Sequence, residues 1–171
     1  DHHDFKESSS VQIGPTNIER YSYSMTKLFE EQYLLNLYNE NKINVCIPRI
    51  FGCFSERSKK GWSAGHIPIF INNALNNKDI VIHGDGKQTR TMVYVSDIVE
   101  GLIKIMENFE KVNGEIINLG GEEEMSIYDH AKIIYSKDTN MNIIDIFRNL
   151  LSEIPKWNMI VLEDELNNII T

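Results

Sequence analysis

The sequence predicts an α/β fold. Long segments with helical apolar spacing alternate with short β-branched runs. One such run, Ile43-Asn-Val-Cys-Ile-Pro-Arg-Ile-Phe51, has the character of a buried strand, and glycines punctuate the alternation. Residues 1–19 are polar and irregular, with Gly14-Pro15-Thr16-Asn17 marking a turn. Thr16 or Asn17 is expected to cap a helix over about 19–39, with acidic Glu19 in its first turn. Leu28, Phe29, Tyr33, Leu35, Leu37 and Tyr38 distribute apolar surface around that helix, which predicts deep burial or a subunit contact. Pro48 then places a strand end or edge within the 43–51 run.

Residues 54–65 form a polar, glycine-bearing loop long enough to be functional. A helix over 67–76 precedes a short strand, Ile80-Val-Ile-His83, and Gly84-Asp-Gly86 turns the chain into a second strand over 91–95. Asp97 has the position of an N-cap for a helix reaching about 109. Glu115-Ile-Ile-Asn-Leu119 is a strand closed by Gly120-Gly121, and Ser126 caps a helix over about 127–136. Beyond Lys137 the pattern weakens to an amphipathic stretch near 142–154, then Pro155 and an acidic, asparagine-rich end. There is no internal repeat.

Composition narrows the function. A hydrophobic share of 42% supports a globular core, and a net charge of −8 argues against a nucleic-acid or anionic-membrane surface. No apolar run approaches the roughly 18 residues of a bilayer span. The amino terminus lacks the parts of a signal peptide, and Cys46 and Cys53 make no disulfide framework, so a cytoplasmic location with reduced thiols is expected. His2, His3 and Asp4 are neighbours on an irregular end and are not read as a metal site.

The chemistry begins at Tyr23 and Lys27. Four residues apart on a helix, they share a face. A phenol titrates near ~10, and an adjacent fixed cation favours its ionised form, which makes Tyr-x-x-x-Lys a plausible acid/base unit. An exposed pair without consequence has the same spacing, so support must come from elsewhere.

That support is the ordered set Gly14-Pro15-Thr16, Arg20-Tyr-Ser-Tyr23-Ser-Met-Thr-Lys27, Pro48-Arg-Ile-Phe51, Gly84-Asp-Gly-Lys-Gln-Thr-Arg90-Thr-Met-Val-Tyr-Val-Ser-Asp97 and Asn118-Leu-Gly-Gly121. Over roughly 13–136 the chain resembles the carboxyl half of the NAD-dependent sugar-nucleotide epimerase/dehydratases, the extended short-chain dehydrogenase/reductase family. The resemblance implies a Rossmann-like α/β fold carrying a small substrate lobe. Residues 1–53 would be the catalytic-helix part of the Rossmann-like domain, 54–136 the substrate lobe interleaved with remaining strands, and 137–171 a divergent helical tail. The family's phosphate loop, Gly-x-x-Gly-x-x-Gly opening a helix, is not in this sequence; Gly84-x-Gly86 leads into a strand instead. The amino-terminal NAD-binding half is therefore expected to be absent, and the isolated chain inactive.

The resemblance also assigns roles. Tyr23 would take a proton from a sugar hydroxyl, and Lys27 would hold the nicotinamide ribose and lower the tyrosine pKa. Oxidation at the sugar C4, then epimerisation or elimination and re-reduction, is the implied chemistry. The third catalytic hydroxyl falls upstream of Asp1, or is Ser10, thirteen residues before Tyr23. Arg90 aligns with an arginine that grips the substrate diphosphate, although a surface ion pair would use the same residue type. Ile82, His83 and Arg57 are further substrate-side candidates; a strand-end position is the plainer reading of His83. Arg20 stays unassigned, and Asp97 is read as a cap. Gly52 stands where relatives often carry a substrate-touching asparagine. The implied partners are a nucleoside-diphosphate sugar and a second copy of the chain docked through the Tyr23–Lys27 helix, with NAD as cofactor. The alternative is a truncated or degenerate module that binds or oligomerises without NAD.

Overall fold

The computed structural model describes residues 6–58, 65–121 and 123–135, which fall into two compact units. The expected helical tail past 137 and most of the 59–65 loop lie outside the described residues, as do His2, His3 and Asp4. The first unit holds residues 6–49 and 102–119. A 3-10 turn, Glu19–Tyr21, runs into helix α1, Ser22–Asn39. Neither Thr16 nor Asn17 caps it. Ile18 precedes the turn without a side-chain cap, and Tyr21 already has helical dihedrals, so α1 grows directly out of the 3-10 turn. Its far end closes through Asn41 at φ 56°, where Lys42 N–H donates to Leu37 O at 2.9 Å. Asparagine is one of the few residues that tolerates this left-handed closure.

The expectation of deep burial for α1 is corrected here: none of its residues is buried. Leu28, Glu31, Leu34, Leu35 and Tyr38 form its half-buried side, whereas Met25, Phe29 and Tyr33 lie exposed. Apolar residues on both sides, read as a uniformly buried helix, are divided between a packed face and an open one.

Strand β1, Ile47–Ile50, is hydrogen-bonded to β5, Ile116–Leu119. Ile47 N–H donates to Glu115 O at 2.9 Å, so the donorless nitrogen of Pro48 faces away from β5, as an edge proline must. The strand is shorter than the 43–51 run because Asn113 intervenes before β5. Its Oδ1 accepts from Val45 N at 2.9 Å and its Nδ2 donates to Asn44 Oδ1 at 3.0 Å, while its carbonyl accepts from Tyr38 Oη at 3.1 Å. Gly114 follows at φ 92°, and a Cβ there would lie 2.3 Å from the Tyr38 ring. Only glycine fits that turn. Ile105, Val112, Ile117 and Leu119 are buried in this unit.

The second unit holds 50–101 and 120–135 less the undescribed positions. Strand β2, Gly52–Phe54, runs parallel to β4, Met92–Tyr94, with Gly52 opposite Met92. Strand β3, Thr89–Arg90, is antiparallel to β6, Met125–Ser126. Helices α2, His66–Leu75, and α5, Ile127–Ile134, pack over a core of Phe54, Ile67, Phe70, Ile71, Met92, Ile127, Ala131 and Ile134. Ser126 caps α5 as expected, its Oγ accepting from Asp129 N–H at 3.0 Å.

Two expectations fail in this unit. Residues 80–83 are assigned to no strand; Ile80 and Ile82 pack on the core while Val81 and His83 are exposed, so alternation survives without a ladder. Asp97 lies inside the first turn of α3, Val95–Glu107, rather than at its cap, because the helix starts directly from β4. Helix α4 is the single turn Phe109–Val112. Among the described residues, no helix is long and apolar enough to cross a membrane.

Gly52 has a structural reason of its own. A Cβ at this position would approach Thr91 O to 2.6 Å and Met92 Sδ to 2.7 Å. The sulfur can move; the backbone oxygen of the neighbouring segment cannot, so an asparagine here would push β2 off β4.

Candidate active-site helix and lobe

Helix α1 forms from Leu, Met, Gln, Glu and Lys without an interior glycine or proline, and this fixes the four-residue offset between Tyr23 and Lys27 as one turn. Both side chains are exposed, and Lys27 Nζ lies 5.9 Å from the centre of the Tyr23 ring, at the outer reach of a cation–π contact. The two side chains do not diverge. Lys27 has a second partner that the spacing argument passed over: Glu30, whose Oε2 accepts from Nζ at 2.8 Å. The ammonium is held above its ordinary pKa by the hydrogen bond to Glu30, then by the charge of Glu30, with a smaller contribution from Tyr23. It is a cation throughout the neutral range. Arg20, left unassigned, donates from Nη2 to Tyr21 Oη at 2.9 Å and lies over the same ring. Ser10 is exposed on the irregular segment before Val11.

On the packed side of α1, Glu31 receives a two-pronged contact from Arg49 of β1. Nε donates to Oε2 at 2.9 Å and Nη2 to Oε1 at 2.5 Å. The third prong, Nη1, donates to Glu7 O at 3.1 Å, and Glu7 Oε1 accepts from Asn118 N–H of β5 at 2.8 Å. The side chains of Arg49 and Glu31 are only 24% and 13% exposed. This network ties α1 to the β1–β5 ladder, and Tyr23 and Lys27 continue the Glu31 stripe toward the exposed amino-terminal end of the helix. Sequence reading missed it because the partners are 18 positions apart; the only visible signal was an arginine inside an otherwise apolar strand.

The other candidates all fall in the second unit. Arg90 is exposed on β3 opposite Met125, with Nη1 donating to Thr89 O at 2.7 Å. Ile82 is half-buried against the core, and His83 is exposed at the bend entering the Gly84–Gly86 turn. That turn uses positive φ at Gly84 (79°) and Gly86 (73°), and Asp85 Oδ1 accepts from Lys87 N–H at 3.0 Å. Ile82, His83 and Arg90 thus share one continuous stretch folded back by a tight turn. Arg57 is exposed beside Glu56, whose carboxylate accepts from Tyr94 Oη and is held below its usual range chiefly by that bond.

The model of the NAD dependent epimerase/dehydratase family matches residues 2–120. The chain is 41% identical over 157 residues to the UDP-N-acetyl-alpha-D-glucosaminuronate decarboxylase of Bacillus cytotoxicus, covering 88% of this chain and 48% of that protein. It is 36% identical over 122 residues to the dTDP-D-glucose 4,6-dehydratase of Dictyostelium discoideum, covering 71% of this chain and 26% of that one. Among solved structures, Pal from Bacillus thuringiensis superposes with a TM-score of 0.63 at 36% identity, over 68% of this chain and 37% of that chain. The chain thus spans at most about half the length of these relatives.

Proposed function

The chain belongs to the NAD-dependent epimerase/dehydratase family, and from that premise we propose that it supplies the catalytic helix and substrate lobe of a nucleotide-sugar enzyme. The observation that carries this reading is the pairing of Tyr23 and Lys27 in the exposed amino-terminal half of α1, one turn apart and both reachable from solvent. Tyr23 accepts the proton of the sugar C4 hydroxyl, and Lys27 steadies the charge on the phenol oxygen and donates to the cofactor ribose. Bound NAD would supply the hydride acceptor for that same carbon. The residues present fit this cofactor in part: Lys27 is engaged only by an exposed carboxylate, which a ribose hydroxyl can displace. No Gly-x-x-Gly-x-x-Gly occurs in the 171 residues, so the pyrophosphate contacts are assigned to a segment outside this chain.

In the same reading, Arg90 grips the substrate diphosphate, with Ile82, His83 and Arg57 as neighbours of the nucleotide, in a cytoplasmic enzyme. The names of the relatives support UDP- or dTDP-linked sugars, and the decarboxylase at 41% identity makes a nucleotide-linked uronate the first substrate to try. The second reading is a binding or oligomerising module that acts without NAD.

The test is a panel of UDP- and dTDP-sugars offered with NAD to the full-length protein, with calorimetry on Arg90→Ala. Product formation with one sugar is expected, as is a loss of affinity of about tenfold or more, since a hydrogen bond to a charged group contributes roughly 1.5–3 kcal/mol. Equal affinity removes Arg90 from the site. Binding without turnover for every sugar favours the non-catalytic module.

The open face of α1 supports a homodimer. Phe29 and Tyr33 stack at 5.9 Å with an interplanar angle of 13° while 68% and 53% exposed, and Met25 continues the stripe. A second copy is the occupant that a two-fold axis beside α1 would bring. Phe29→Glu is expected to convert a dimer to a monomer in sedimentation at micromolar concentration; a wild-type monomer would remove the interface.

A further inference from the structure

We propose that His66 and His130 form an acid-sensitive latch between α2 and α5, closed at neutral pH and released as both rings gain protons. His66 Nε2 and His130 Nδ1 are 3.0 Å apart, with ring centres at 4.9 Å. A hydrogen bond at that distance needs one N–H and one lone pair. A neutral pair supplies them, and so does a pair carrying one proton in excess. With both rings protonated, two N–H groups and two positive charges confront each other, and the bond is lost. His130 is 1% exposed on the inward stripe of α5, between Ile127 and Ala131–Ile134, so its charged form would sit in apolar core. His66 is held from the other side by the edge of Phe70 at 5.4 Å.

Among the described residues, the groups facing the pair do not neutralise it. Arg90 of β3 is positive and disfavours a charge on His66; Asp129 of α5 favours one on His130 but is outweighed by burial. Lys132, the other charge on α5, is exposed, and α2 carries no ionisable side chain besides His66. Burial comes first among the causes for both rings and pushes each down to about 4. The unfolded chain therefore takes up protons near pH 6.5 that the folded one refuses until about 4. The latch contributes fully above 6.5, and its contribution is lost as pH falls through the interval.

Its release would reach Arg90. The first turn of α5 is tied to the segment leading into β3, with Ile127 N–H donating to Gln88 O at 3.0 Å and Tyr128 N–H to Gly86 O at 3.1 Å. Any effect on ligand affinity rests on the reading of Arg90 given above; the latch itself does not.

The experiment is an imidazole titration of the 171-residue chain by NMR, with thermal unfolding at pH 7 and pH 5. His130 is expected to titrate below about 5, and a midpoint within about half a unit of 6.5 overturns the latch. His130→Leu is expected to remove at least half of the loss in Tm between the two pH values; an undiminished loss overturns it too. Should that variant fail to fold, His66→Gln removes one titrating ring and keeps a donor for Nδ1. The same reduction is expected of it, and its absence counts equally against the latch.

Discussion

Under the proposed function, replacing Tyr23 with phenylalanine in the full-length protein is expected to leave NAD and substrate binding in place and to lower kcat by about a hundred- to ten-thousand-fold, the usual contribution of a positioned proton-transfer group. The change removes one oxygen from a side chain that is 63% exposed, so the fold has little reason to respond. Helix α1 keeps its packed face and the stacked Phe29–Tyr33 pair is untouched. A loss in kcat with an unaltered KM is what removal of a transition-state interaction looks like. Steady-state kinetics beside a circular-dichroism spectrum makes the distinction. Unchanged turnover would refute the assigned base, whereas a loss of kcat accompanied by a loss of helix would locate the damage in folding.

The second large effect is on stability. Arg49→Ala is expected to destabilise the protein by about 3 kcal/mol, at the low end for breaking a buried ion pair because both side chains keep some contact with water. Three hydrogen bonds vanish at once, and Glu31 is left as a carboxylate on the packed side of α1 with neither prong of its partner. Arg49→Lys keeps the charge without the fork and is expected to fall between wild type and alanine. Urea denaturation at pH 7 measures all three. A loss under about 1 kcal/mol for the alanine variant would place the pair with ordinary surface ion pairs.

The helical backbone of this design was legible in the sequence because local rules write it. Ser126 announces α5, and the length of α1 follows from a run without glycine or proline. The proximity of the candidate pair was legible for the same reason: Tyr23 and Lys27 are neighbours by helix geometry alone. Where local rules compete with tertiary ones, reading failed. Ile80 and Ile82 alternate like a strand, yet with no ladder assigned they remain an extended stretch anchored on Phe54 and its neighbours. Asp97 has the chemistry of a cap, but the turn out of β4 is tight enough for the helix to start three residues earlier than a cap at Asp97 would place it. Long-range pairs gave no signal. Glu31 with Arg49, and His66 with His130 at a separation of 64, become partners only once each unit has folded. His130 did offer one clue, since Ile127, His130, Ala131 and Ile134 make an apolar stripe with a single polar intruder.

Under the proposed role of Lys27, its bond to Glu30 bears on how the resting protein would wait for its ligand. An ammonium reserved for a ribose hydroxyl would otherwise swing freely, and freezing it on arrival would draw on the ligand's affinity. Glu30 keeps it on standby instead, already oriented on the face it shares with Tyr23 and already extended along the helix. Because both partners are hydrated, trading the carboxylate for an incoming hydroxyl is a nearly even exchange. If Lys27 has the proposed role, the carboxylate one turn on would act as a placeholder, with the cation it tends prearranged before any cofactor comes.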